Sequence, residues 1–226
     1  AADYDGWRQM GNAGWGWDDV LPYFLKSEDH HNPDQPLHNV GGEWKVARQR
    51  LRWEVLETVQ QGAKEFGIEP TADFNGGTNE GSGFFEVNQK NGVRWNTAKA
   101  FLRPALKRKN LKVMTGAFTR RVIIEGKRAV GVEFERDMQT LQATARAEVI
   151  LAAGAINSPK LLELSGIGQP ERLENLGLPV HHELNGVGEN LQDHLQIRTV
   201  YKVSGAKTLN ETVNSLWGKI RIGLEY

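Results

Sequence analysis

Six histidines, a turn of small residues after an apolar run, and several glycine clusters are the places in this sequence where chemistry could be housed. The histidines are His30, His31, His38, His181, His182 and His194. None stands in a His-Glu-x-x-His arrangement. His30-His31 lies in a stretch of Pro, Asn and Asp, where solvent is the expected partner and no metal ion is expected. No Ser occupies a G-x-S-x-G elbow. The absence of cysteine excludes a thiol nucleophile, thiolate metal ligands and disulfides. Gly11-Asn12-Ala13-Gly14-Trp15-Gly16 has its glycines in the wrong order for a dinucleotide fingerprint and follows no strand-like run. Asn75-Gly76-Gly77 and Gly81-Ser82-Gly83 lack the Lys-Ser/Thr of a phosphate loop and read as turns. The 7 tryptophans stand mostly beside other apolar residues, which favours packing over stacking on sugars or bases.

The most informative local feature is Val149-Ile150-Leu151-Ala152-Ala153-Gly154-Ala155-Ile156. An apolar strand that runs into Ala-Ala-Gly and then a helix lets the backbone approach a bulky ligand at the carboxyl end of a sheet. Tight helix–strand packing accounts for the same pattern equally well.

The elements that must position these residues follow from periodicity and breakers. Asp18 to Ser27 is helix-like, with Asp18 or Asp19 as its cap, and Glu28 to Gly42 reads as an exposed loop. Glu43 to Val46 alternates like a strand. Trp53, Leu56, Val59, Gln60, Ala63 and Phe66 then lie at helical spacing, with Gly67 as the stop. Phe84 to Asn88 is strand-like, and Thr97 to Lys107 is helical with a kink or break at Pro104. Leu111 to Met114 reads as a short strand. Phe118–Glu125, Ala129–Arg136 and Leu141–Arg146 form an expected antiparallel meander joined at Gly126-Lys127 and Asp137 to Thr140. Glu148 to Leu151 is an expected buried strand, followed by a helix from about Ser158 with Pro159 in its first turn. An apolar helix-like run from Val213 to Leu224 meets no cap or breaker before Tyr226, and the opening residues are aromatic from Tyr4 to Trp17. Both ends are therefore expected to be cut.

Composition is that of a folded domain: 39% hydrophobic, 25% charged. Basic and acidic residues balance at 28 each, which leaves no electrostatic footprint for nucleic acid. No apolar run is long enough to span a bilayer, and no leader pattern opens the chain.

Two longer strings carry more than composition does. Gly154-Ala155-Ile156-Asn157-Ser158-Pro159-Lys160-Leu161-Leu162-Glu163-Leu164-Ser165-Gly166-Ile167-Gly168 resembles a signature segment of the glucose–methanol–choline (GMC) oxidoreductases. Gly186-Val187-Gly188-Glu189-Asn190-Leu191-Gln192-Asp193-His194 resembles the segment that follows it in that family. The likeness continues at Asp3 to Trp7, Gly14 to Trp17, Asp73 to Gly76, Arg94 to Pro104 and Leu111 to Gly116. It is nearest to bacterial choline-dehydrogenase-like and aliphatic-alcohol-dehydrogenase members.

The resemblance implies an α+β to α/β fold: part of a doubly wound FAD-binding domain bearing an antiparallel meander, plus part of an α+β substrate domain. It assigns residues 1–42 to a lid or linker, 43–110 and 194–226 to the substrate domain, and 111–193 to the FAD domain. It further implies oxidation of a primary alcohol by hydride transfer to flavin. The family's position for a backbone contact to adenine falls on Thr119, where valine is commoner, and the Ala153-Gly154 turn falls near the adenosine. His194 and Gln196 fall at the substrate pocket. In choline-oxidising relatives a glutamate holds the position of Gln196, so the resemblance points to a neutral primary alcohol. No residue here matches the family's catalytic base or its dinucleotide glycine motif. Alone, the chain is therefore expected to be inactive and to retain no FAD. The implied partners are a small alcohol and an unassigned electron acceptor, in a cytoplasmic or peripherally membrane-associated protein. A flavin-containing lyase of the same family and a non-enzymatic interaction module are the alternatives.

Overall fold

The computed structural model describes residues 1–33, 36–206 and 208–225. Within it the chain forms two compact units, one of residues 1–111 with 201–226 and one of residues 112–200.

The first unit opens with α1 (Ala2–Gln9) and α2 (Trp17–Ser27). Gly16, rather than Asp18 or Asp19, is the residue before α2. Asp19 serves from the third helical position, accepting the Gly16 N–H at 3.0 Å, and Asp5 accepts the Trp17 N–H at 3.0 Å. Tyr4 packs edge-on to Trp7 and Phe24, and Trp7 edge-on to Trp15, so these aromatic residues meet one another as expected. The expected exposed loop at 28–42 is instead structured where it is described. Here β1 (Glu28–His30) pairs in parallel with β2 (Trp44–Val46), and His30 is buried. Residues 34 and 35 of that loop lie outside the described residues.

The amphipathic pattern yields α3 (Glu54–Glu65), ending just before Gly67. Phe84–Asn88 is not a strand: only Val87 makes a bridge, to Ala47. The short hairpin is instead β3 (Gln89–Lys90) with β4 (Val93–Arg94). A π-helical turn, Ala98–Leu102, runs into α4 (Arg103–Ala105). Pro104 has no N–H to give to the preceding turn. The Arg103 N–H reaches back to the Ala98 carbonyl, the wider spacing of a π turn. The helix is thus re-spaced rather than broken.

The second unit is built on the meander β5 (Phe118–Glu125), β6 (Arg128–Arg136) and β7 (Gln139–Thr144), in that order across the sheet. Gly126-Lys127 closes the first hairpin. The second is tighter than expected: Asp137 and Met138 both take positive φ, 51° and 61°, and make a two-residue turn. Strand β7 therefore starts at Gln139 and ends at Thr144.

Helix α5 (Gly154–Leu164) packs on β5, beginning well before Ser158 and carrying Pro159 inside it. Beyond it, β8 (Ile167–Gly168) pairs in parallel with β9 (His182–Glu183), and α6 (Pro170–Asn175) between them buries Leu173 completely. Val122, Phe134, Leu173 and Val187 are the buried apolar residues of this unit. Leu111–Met114 and Glu148–Leu151 are not strands, and Ile150 is 76% exposed. A strand exists only through a partner's hydrogen bonds, and among the described residues neither segment pairs with one. In the first unit, α7 (Leu209–Val213) and α8 (Leu216–Glu225) split the expected C-terminal helical run, and Tyr226 lies outside the described residues.

Candidate functional site

Edge strand β5 and the start of α5 carry three of the expected site residues. Thr119 lies at a bulge in β5, where Thr119 opposes Phe134 and Arg121 opposes Glu133. An edge strand leaves main-chain groups on its outer side open to a ligand. One such group is already taken: the Val122 N–H donates to Ser165 Oγ at 2.8 Å, while the Ser165 hydroxyl donates to the Leu161 carbonyl. The C-terminal end of α5 is thereby fastened to β5.

At the other end of α5, the Ala153 N–H donates to Ser158 Oγ at 3.0 Å. Gly154 has φ +86°, a left-handed conformation, and a Cβ placed on it would meet no atom within 4 Å. Packing against the helix is therefore not what requires glycine there; the backbone conformation is. Ala152, Ala153 and Gly154 are exposed, as is Ile156 at 71%.

The two signature strings meet through charge. Arg172 donates to Glu163 Oε1 at 2.9 Å and also to Glu189, joining one residue of each string. Gly188 sits under this pair with φ +81°, and a Cβ there would lie 3.0 Å from the Arg172 guanidinium. Val187 beside it is buried. His194 and Gln196 lie on an exposed, irregular stretch. The His194 N–H donates to Asp193 Oδ1 at 2.9 Å, and no hydrogen bond links either residue to Thr119 or Gly154 among the described residues.

The first unit holds a cluster that the sequence did not disclose. His30 Nε2 lies 2.7 Å from Glu86 Oε2, and His31 Nε2 makes a short contact with Glu86 Oε1. His38 places Nδ1 2.9 Å from Glu28 Oε2 and Nε2 3.0 Å from Asp73 Oδ2. The ring of His30 is stacked between those of His38 at 3.9 Å and His31 at 4.5 Å. So His30 and His31 face a carboxylate, not solvent. Burial by itself lowers the His30 pKa. The Glu86 hydrogen bond, the Asn32 carbonyl and the charges of Glu86 and Glu28 outweigh it, and the pKa stands above the usual imidazole value. Burial likewise pushes Glu86 up, but its hydrogen bonds and charge attraction to His30 and His31 hold it below the usual carboxylate value. The partners Glu28, Asp73 and Glu86 are up to 56 residues away in sequence, which no local pattern shows. Two adjacent histidines beside a Glu-Asp pair were the one available signal.

A family model described as GMC oxidoreductase matches residues 1–196. The chain belongs to the GMC oxidoreductase family. Among GMC relatives, the oxygen-dependent choline dehydrogenase of Brucella ovis is 42% identical over 226 residues, all of this chain and 41% of that protein. The human mitochondrial choline dehydrogenase is 40% identical over the same span, 38% of its length. The chain thus spans about two fifths of the curated GMC relatives it matches. An FAD-dependent oxidoreductase from Chaetomium thermophilum shares the fold, with a TM-score of 0.78 and 30% identity over 84% of this chain and 36% of the other. That likeness, with the mixed helices and sheets seen here, bears out the α+β to α/β class.

Proposed function

We propose that the chain is the adenosine-binding part, with some of the substrate domain, of an FAD-dependent enzyme that oxidises a primary alcohol. The match to the GMC family over residues 1–196 is the observation that carries this reading. FAD, when bound, would supply the acceptor for the alcohol's hydride.

The residues present fit the adenosine half of that cofactor. Thr119 offers main chain from an edge strand, and the Ala152-Ala153-Gly154 turn is open where a side chain would project. Exposed Ile150 and Ile156 flank that turn and give an apolar surface for the cofactor to cover. On this reading residues 111–193 belong to the FAD domain, residues 1–42 to the lid or linker, and residues 43–110 with 194–226 to the substrate domain. The Arg172–Glu163–Glu189 set holds the two signature strings in register, so that the turn and the His194–Gln196 stretch are presented from one framework. The amide of Gln196 can hydrogen-bond a hydroxyl but offers no charge to a quaternary ammonium, which favours a neutral alcohol. No residue here matches the family's base or its dinucleotide glycine motif, so the 226-residue chain by itself is expected neither to turn over alcohol nor to retain FAD. No described helix is long and apolar enough to cross a membrane.

The test is Gly154→Val in the full-length protein. A β-branched residue at φ +86° is strained and fills the open turn. Flavin per chain is expected to fall several-fold while most of the protein remains folded at room temperature. Unchanged flavin with a lowered unfolding midpoint would reduce the turn to a packing feature.

A further inference from the structure

We propose that His30, His31 and Glu86 form a binding site for one divalent transition-metal ion, zinc in the first instance. One ligand atom from each residue lies within 4.8 Å of the other two. In a tetrahedral zinc site, metal–nitrogen and metal–oxygen distances of about 2.0–2.2 Å place ligand atoms roughly 3.3 Å from one another. The 2.7 Å contact between His30 Nε2 and Glu86 Oε2 therefore opens by less than an ångström to admit the ion.

The surroundings are those of a prepared site. Glu86 turns a different oxygen to each imidazole. The far nitrogen of His30, Nδ1, lies 3.0 Å from the Asn32 carbonyl and 3.2 Å from the Asn32 main-chain nitrogen, so Asn32 holds the ring in place while an ion displaces the proton that Nε2 shares with Glu86. Stacking against His31 and His38 sets the plane of the His30 ring. His38 does not compete as a ligand, because both its nitrogens are held by Glu28 and Asp73.

Two imidazoles and one carboxylate select zinc or its transition-metal neighbours over calcium and magnesium, which prefer all-oxygen shells. The His30 side chain is 1% exposed and that of His31 is 24%, so water can reach the outer side and complete the coordination. The ligands come from β1 and its following residue on one side and from a segment 55 residues later on the other. The ion would pin the two ends of the segment that carries β2 and α3, a structural role to which no reaction is attached.

The test uses the purified protein, stripped with chelator and dialysed against zinc chloride, with bound metal counted by mass spectrometry. One zinc per chain is expected. His31→Ala and Glu86→Gln should each weaken binding at least about tenfold, while His182→Ala should match the wild type. Zinc should raise the melting temperature of wild type but not of His31→Ala, a partly exposed position whose loss leaves the fold intact. Folded wild type that binds no zinc would overturn the site. So would His31→Ala and Glu86→Gln proteins that bind it as the wild type does.

Discussion

The meander unit and the histidine cluster are built by opposite means. In the meander unit, β5, β6 and β7 pair through two-residue turns, and the buried side chains Val122, Phe134, Leu173 and Val187 are apolar, with Ser165 the buried polar one. In the histidine cluster the buried and half-buried groups are three imidazoles and three carboxylates, brought together from residues 28 to 86. The first arrangement is secured by local pairing and apolar burial. The second depends on each polar group keeping its partner, since an orphaned buried charge costs more than a lost apolar contact of similar size. The meander unit should therefore yield to lost volume, and the cluster to lost partners.

Three substitutions sharpen that contrast, from largest effect to smallest. Leu173→Ala removes the one fully buried large side chain among the described residues and should cost about 3 kcal/mol, read from denaturant midpoints. A cost under about 1 kcal/mol would mean that α6 is not part of a packed core. His38→Leu keeps the volume but leaves the Glu28 and Asp73 carboxylates without their shared donor. About 2 kcal/mol should be lost, and Glu28→Gln in the same background should recover part of it. No loss would show that the cluster is held by packing alone. Glu133→Gln touches the exposed Arg121 pair on the sheet surface. The hydrogen bond from Arg121 holds the Glu133 pKa below the usual carboxylate value. A depressed folded pKa gives stability that is present at neutral pH and is lost as pH falls through the carboxylate range. The variant should therefore show the smallest melting shift of the three, confined to neutral pH and erased by salt.

What the sequence disclosed follows the same division. The meander, its first turn and α3 were legible because period, glycine and β-branched runs are local signals. Leu111–Met114 and Glu148–Leu151 have the right residues for strands and still are not strands, because pairing is a property of two segments. Pro104 announced an irregularity but not its form, a π turn that keeps the helix going. The strings around Gly154 and Gly188 were recognisable as text. That Arg172 ties them together, and that Gly188 leaves room for it, needed coordinates. Of the candidate site, Thr119 and Gly154 were reached through family likeness. The stacking of His30 on His38 was invisible, since nothing in a Pro-Asn-Asp stretch marks it as buried.

On the proposed function, these residues belong to an enzyme that passes hydride from a primary alcohol to bound flavin. The most direct measurement is anaerobic mixing of the full-length protein with a linear primary alkanol, and separately with choline, while the visible flavin spectrum is followed. The expected result is a yellow protein whose flavin absorbance is bleached in single turnover by the alkanol, and less rapidly by choline because Gln196 carries no charge. A protein that holds no flavin, or whose flavin stays oxidised with every alcohol offered, would contradict it.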